Sequence, residues 1–149
     1  MKERLYGILL SGVLSLVILM IFFGKIIRDP GKYYFSTTGD GLKAYFVALY
    51  HVEHDTTTFR SAGMNYPFGE LLPFTDGQPP VVNSIRFISE NIGDIRDHTV
   101  AIINLLMLFS VLAGAVFLCL ILTEADVKWW YAAVASVGIA FLSPQIGRL

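Results

Sequence analysis

The sequence predicts an all-α membrane protein, with about three transmembrane helices and one long polar loop carrying amphipathic helices. Three observations predict it. The 149 residues are 54% hydrophobic and only 15% charged, with a mean hydropathy of +0.60, too apolar for an ordinary soluble domain. The apolar residues gather in an N-terminal and a C-terminal block, with most of the charge between them. Each block contains an apolar run long enough to cross a bilayer.

The first element comes after the charged start Met1-Lys2-Glu3-Arg4. Residues 5–24 carry no charge and meet the roughly 20-residue requirement of a bilayer core, so the first span is placed at about 5–27. A cleaved signal peptide is the rival reading. The apolar run exceeds the usual 7–15 residues of such a leader, and Phe22-Phe23-Gly24-Lys25 is no small-x-small cleavage site.

The loop occupies about 28–98. Asp29-Pro30-Gly31, Gly39-Asp40-Gly41, Tyr66-Pro67-Phe68-Gly69, Asp76-Gly77-Gln78-Pro79-Pro80 and Asn91-Ile92-Gly93-Asp94 punctuate it as turns. A connection this long is expected to be functional or disordered. Its abundant Tyr, Phe, Leu, Val and Ile argue for a folded segment with short helices.

Residues 99–123 form the second span, with Asn104 as a polar exception and Ser110 and Gly114 offering a small-residue packing face. After the polar connection 124–128, residues 127–143 read as a third, short span. It is led by the interfacial aromatics Trp129-Trp130-Tyr131 and stopped by Pro144. Cys119, the one cysteine, lies in an apolar run and reads as a small buried hydrophobe. The chain stops soon after a hydrophobic segment, so it is expected to be the opening part of a longer polytopic protein, whose remaining helices would be its partners.

A net charge of −1 and the absence of any basic stripe exclude an electrostatic nucleic-acid binder. P-loop, nucleophile-elbow and zinc-protease signatures are missing. The spans hold almost no ionisable residue of the kind that marks an ion pathway, which ranks a transporter last. Lys2, Arg4 and Lys128 fall on one side of the membrane and Lys25, Arg28, Lys32 and Arg96 on the other. That count places the loop in the cytoplasm, by a rule that weakens for loops beyond about 60 residues.

Chemistry is sought first in residues 39–54. Leu42, Tyr45, Phe46, Leu49 and Tyr50 lie along one helical face, with Asp40, Lys43, His51 and His54 opposite. An amphipathic helix lying on the membrane surface is the expectation, with membrane lipids as its partner. Asp40, between two glycines, reads either as an N-cap or as a general base. Lys43 reads as a solvated or phosphate-facing charge. His51 and His54, at i and i+3, read either as sharing a metal with Asp55 or Glu53 or, since no strict metal-ligand signature accompanies them, as surface histidines, the favoured reading. The second constellation runs from Gly63 to Gln78. Tyr66 and Phe68, among prolines and glycines, make an aromatic surface suited to sugar rings and lipid chains. Glu70 and Asp76 are either turn-forming carboxylates or ligands for a hard divalent cation.

In Gly39-Asp40-Gly41-Leu42-Lys43, in Gly63-Met64-Asn65-Tyr66-Pro67-Phe68-Gly69-Glu70 and in Thr75-Asp76-Gly77-Gln78-Pro79, set between a first span and closely spaced later ones, the chain resembles the GT-C superfamily of membrane glycosyltransferases. The closing Ser143-Pro144-Gln145 with Arg148 resembles the start of a further block of its large bacterial members. The resemblance implies a bacterial cytoplasmic-membrane enzyme whose long loop faces the periplasm or exterior, against the charge count. It implies a polyprenyl-phosphate-linked sugar donor and, in some members, a divalent metal. By position, Asp40 becomes the general base. Lys43 or Arg148 helps neutralise the departing lipid phosphate, and Tyr66, Glu70, Asp76 and Gln78 bind substrate. The alternative is a non-catalytic membrane subunit whose loop docks a partner.

Overall fold

The computed structural model describes residues 2–142. Among them are five α-helices: α1 (Lys2–Arg28), α2 (Gly39–Glu53), α3 (Pro79–Asn91), α4 (Thr99–Glu124) and α5 (Trp129–Phe141). The strands β1 (Arg60–Ser61) and β2 (Glu70–Leu71) form a small antiparallel hairpin, pairing Arg60 with Leu71 and Ser61 with Glu70. Short 3-10 turns cover Leu72–Phe74 and Arg96–His98. The chain divides into two compact units. One combines α1 with α5 and most of α4, and the other is Asp29–Asn104.

The helical unit is built inside out relative to a soluble bundle. α1 and α4 are long and apolar enough to cross a bilayer, and only 22% of each apolar stretch is buried. A core helix of a soluble protein would be mostly buried. Large side chains such as Leu9, Val13, Ile21, Phe22, Phe109, Phe117 and Ile121 point outward, while Ser11, Ser15, Ala115, Cys119, Ala132, Ala133 and Ser136 are buried. Small side chains let the backbones approach, and hydroxyls can bond across such an interface. Ser11 Oγ donates to Ala115 O at 3.3 Å and lies 3.1 Å from Ser136 Oγ. At one end Arg4 pairs with Glu124 and Tyr6 leans on Trp129, with ring centroids 6.1 Å apart.

Two expectations change here. The packing face of α4 is Val111, Ala115 and Cys119, repeating every four residues, rather than Ser110 and Gly114. A Cβ on Gly114 would meet nothing within 4 Å, and the Ser110 hydroxyl turns back to Met107 O at 2.7 Å. The third apolar helix, α5, covers 13 residues, about 20 Å at 1.5 Å per residue. A bilayer core is about 30 Å thick. Among the described residues two helices, α1 and α4, are long and apolar enough to cross a bilayer, and α5 is a shorter apolar helix.

The loop unit is a folded module. α2 begins after Thr38, whose extended backbone occupies the N-cap, and closes where His54 N–H donates to Tyr50 O. α3 starts at Pro79-Pro80, where the missing N–H groups cost nothing. It ends at Ile92-Gly93, both of whose amides return to Ile88 O. Val82 and Ile85, one turn apart, sink its inner face, and the core is completed by Tyr45, Val47, Ala48, Val52 and Leu72. Close approach explains two glycines. A Cβ on Gly63 would lie 2.6 Å from the Tyr50 ring, and one on Gly77 2.7 Å from Val47 Cγ1.

One node ties the start of this module to the opening turns of α4. Asn104, fully buried, donates from Nδ2 to Pro30 O at 2.6 Å and Tyr33 O at 2.7 Å. Its Oδ1 accepts the Tyr45 hydroxyl, and that hydroxyl oxygen in turn accepts Phe35 N–H at 3.4 Å. The stretch from Pro30 to Phe35, the middle of α2 and the start of α4 are thereby held at one point.

Candidate functional site

Asp40 stands in the first turn of α2, where an acidic side chain favours the positive end of the helix dipole. It is not the cap, since Thr38 holds that place and makes no side-chain capping bond. The carboxylate is exposed and has no hydrogen-bond or ion-pair partner among the described residues. Lys43, one turn further, is half-buried and forms no ion pair with it. The side of the helix that packs on the module is not the one its apolar spacing marks out. Tyr45, Val47, Ala48, His51 and Val52 face inward, while Leu42 and Phe46 are exposed.

His51 is consequently a core residue rather than a surface histidine, and the reason is local chemistry that periodicity does not carry. Its Nδ1 lies 2.8 Å from Asp55 Oδ2, and a carboxylate oxygen can only accept, so Nδ1 carries the proton. Nε2 lies 3.3 Å from Asn83 Oδ1, whose amide is turned by donation to Thr58 O at 2.9 Å. Asp55 spends its other oxygen on Ala62 N–H at 2.9 Å. Arg86 closes the cluster by donating to Thr57 O at 2.8 Å and approaching Glu90 at 3.6 Å. Buried polar groups are tolerated when bonded in this way. The cluster fastens the end of α2 to β1 and to α3. The ring is fully buried and so reaches no substrate. His54, by contrast, is exposed and meets the edge of Tyr50 at 5.0 Å between centroids.

The second constellation is spread over the hairpin and the turn that leads into α3. Tyr66 is 88% exposed at the hairpin tip, and Glu70 sits half-buried on β2 opposite Ser61. Asp76 and Gln78 both adopt left-handed backbone, φ 60 and 49, in the turn before α3, and both side chains are exposed. Arg60 clamps the tip by donating to Phe68 O. A cleft of about 280 Å³ lies beside the hairpin, lined by His54, Asp55, Thr56, Arg60, Pro67 and Phe68 among others. Its lining includes none of Asp40, Lys43, Tyr66, Glu70, Asp76 and Gln78. Arg148 lies outside the described residues. No group of three His, Cys, Asp or Glu side chains that could hold a metal occurs among the described residues.

Sequence reasoning set Asp55 beside His51 only as a metal partner and missed the buried hydrogen bond between them and the partners Asn83 and Arg86. The i, i+4 spacing of a histidine and an aspartate across a helix end was the available signal. Compared with protein families, curated proteins and solved structures, the chain finds no match.

Proposed function

We propose that the chain is the N-terminal membrane part of a glycosyltransferase that takes a sugar from a polyprenyl-phosphate donor. The acceptor lies outside the bacterial cytoplasmic membrane, and α1 and α4 cross the bilayer to hold the loop on that side. The observation that carries the reading is the Asp40 carboxylate. It sits on a well-anchored helix in a folded loop between two helices of spanning length, yet it is exposed and committed to no partner. In this reading Asp40 takes the proton from the acceptor hydroxyl as it attacks the anomeric carbon. Lys43, one helical turn away, faces the lipid phosphate that leaves with the negative charge. Tyr66, Glu70, Asp76 and Gln78 contact sugar or acceptor once further helices of a longer chain enclose the donor, and Arg148 adds positive charge.

Asp40→Asn in the complete protein tests the assignment. Transfer of radiolabelled sugar from the polyprenyl-phosphate pool to extracytoplasmic glycan is expected to fall by about 10²–10⁴-fold, the usual worth of a positioned base. Transfer at the wild-type rate would remove Asp40 from the chemistry. A docking module is the second reading, favoured by one observation: four large aromatics of the hairpin region, Phe59, Tyr66, Phe68 and Phe74, are exposed together, away from Asp40 in the sequence.

A further inference from the structure

The hairpin and the turn after it display Phe59, Tyr66, Phe68 and Phe74 at 69%, 88%, 73% and 73% exposure, with half-exposed Leu71 among them. This is not loose packing. The same segment buries Ser61, Leu72, Thr75 and Gly77 against the module, and its tip is fixed by the bonds of Phe68 and Gly69 N–H to Asn65 O and of Arg60 to Phe68 O. A rigid segment therefore directs its aromatic rings outward while Leu72 and its small and polar groups face inward. Exposed apolar clusters of this kind mark sites of association.

Charge and connectivity indicate what covers this one. Residues 56–69 contain no carboxylate and a single fixed positive charge, the exposed Arg60, while the one carboxylate of the hairpin, Glu70 on β2, is half-buried. Aromatic rings with a cationic neighbour and a phenol at the tip suit the boundary between acyl chains and anionic headgroups, where rings sit in the apolar layer and polar ends reach phosphate or water. The module is also joined at both ends to helices of spanning length, α1 before Asp29 and α4 from Thr99. A bilayer is thus the surface to which it is covalently tethered.

We propose that the hairpin is a membrane-inserting wedge, with Tyr66 and Phe68 entering the interface of the leaflet that the loop faces and Arg60 meeting lipid phosphate. The proposal rests on α1 and α4 being spans, is independent of any role for Asp40, and assigns Tyr66 to lipid in place of sugar or acceptor.

The full chain in nanodiscs containing anionic lipid, with Cys119→Ala as background, tests it by site-directed spin labelling. Labels are placed at Tyr66→Cys and Phe68→Cys, at Val13→Cys on the outer face of α1, and at Ser84→Cys on exposed α3. Collision with oxygen, which partitions into lipid, is compared with collision with a water-soluble nickel chelate. The oxygen-to-nickel ratio is expected to be several-fold higher at 66 and 68 than at 84, and higher still at 13. Ratios at 66 and 68 equal to that at 84, with 13 lipid-like, would overturn the wedge while leaving the spans intact. Shielding of 66 and 68 from both reagents would reveal a protein partner and overturn it equally. A lipid signature at 84 as well would erase the hairpin's distinction and count against it. An aqueous ratio at 13 would defeat the span reading itself.

Discussion

Individual side chains in the loop module are set by hydrogen-bond geometry more than by hydrophobic spacing, and Tyr45 shows the consequence. Burial pushes its phenol above the ordinary 10.0, the Phe35 N–H it accepts works the other way, and neighbouring Tyr34 adds to the rise. A raised folded-state pKa means that folding favours the protonated phenol. The contribution is complete below the unfolded value of about 10 and is lost as pH climbs through the higher folded value. A phenolate absorbance titration should show one tyrosine ionising above the others. That component should vanish in Tyr45→Phe, and stability should fall over the same alkaline interval. An unchanged titration in the variant would show that Tyr45 is not the retarded group. Asp40 makes the contrasting case, since nothing among the described residues engages its carboxylate, which leaves it free for a ligand.

The elements differ in how visible they were in the sequence, and the difference has a physical basis. The runs that became α1 and α4 are legible because a bilayer demands about 20 apolar residues whatever their order. The inner face of α2 was not legible, because His51 behaves as a core residue only with Asp55, Asn83 and Arg86 around it. Leu42 and Phe46 then turn outward although their spacing matches a buried stripe. Of the candidate site, the turn chemistry of Gly63 to Gln78 could be read, but its glycines serve packing as well. Gly63→Ala drives a methyl into the Tyr50 ring, 2.6 Å from the added carbon. Such overpacking costs about 1–3 kcal/mol. Gly93→Ala is the matched control, with nothing within 4 Å of its Cβ, and should stay within about 0.5 kcal/mol of the parent. Thermal unfolding of the two variants, with amide exchange across residues 60–72, checks both statements. Equal stability would mean that the hairpin yields freely to Tyr50.

At the scale of the whole molecule the glycosyltransferase reading requires the loop to lie on the side of the membrane that carries the acceptor. Arg4 near the start of α1 pairs with Glu124 at the end of α4, so two crossing helices put both of these ends on one face and residues 29–98 on the other. The positive charges around the loop argue for a cytoplasmic loop, whereas transfer from a polyprenyl-phosphate sugar outside the membrane needs the opposite arrangement. The two demands separate in one experiment. In the Cys119→Ala background, Ser84→Cys and Lys128→Cys are exposed to a membrane-impermeant maleimide in intact cells and after permeabilisation. The glycosyltransferase reading requires Ser84→Cys to label in intact cells and Lys128→Cys only after permeabilisation. The reverse pattern would put the loop, and with it Asp40, on the side without the acceptor, and would eliminate that function while leaving both spans in place. Labelling of both from the same side would mean that α1 and α4 do not both cross. The folded module of residues 29–104 would then be joined to a hairpin of apolar helices resting in one leaflet.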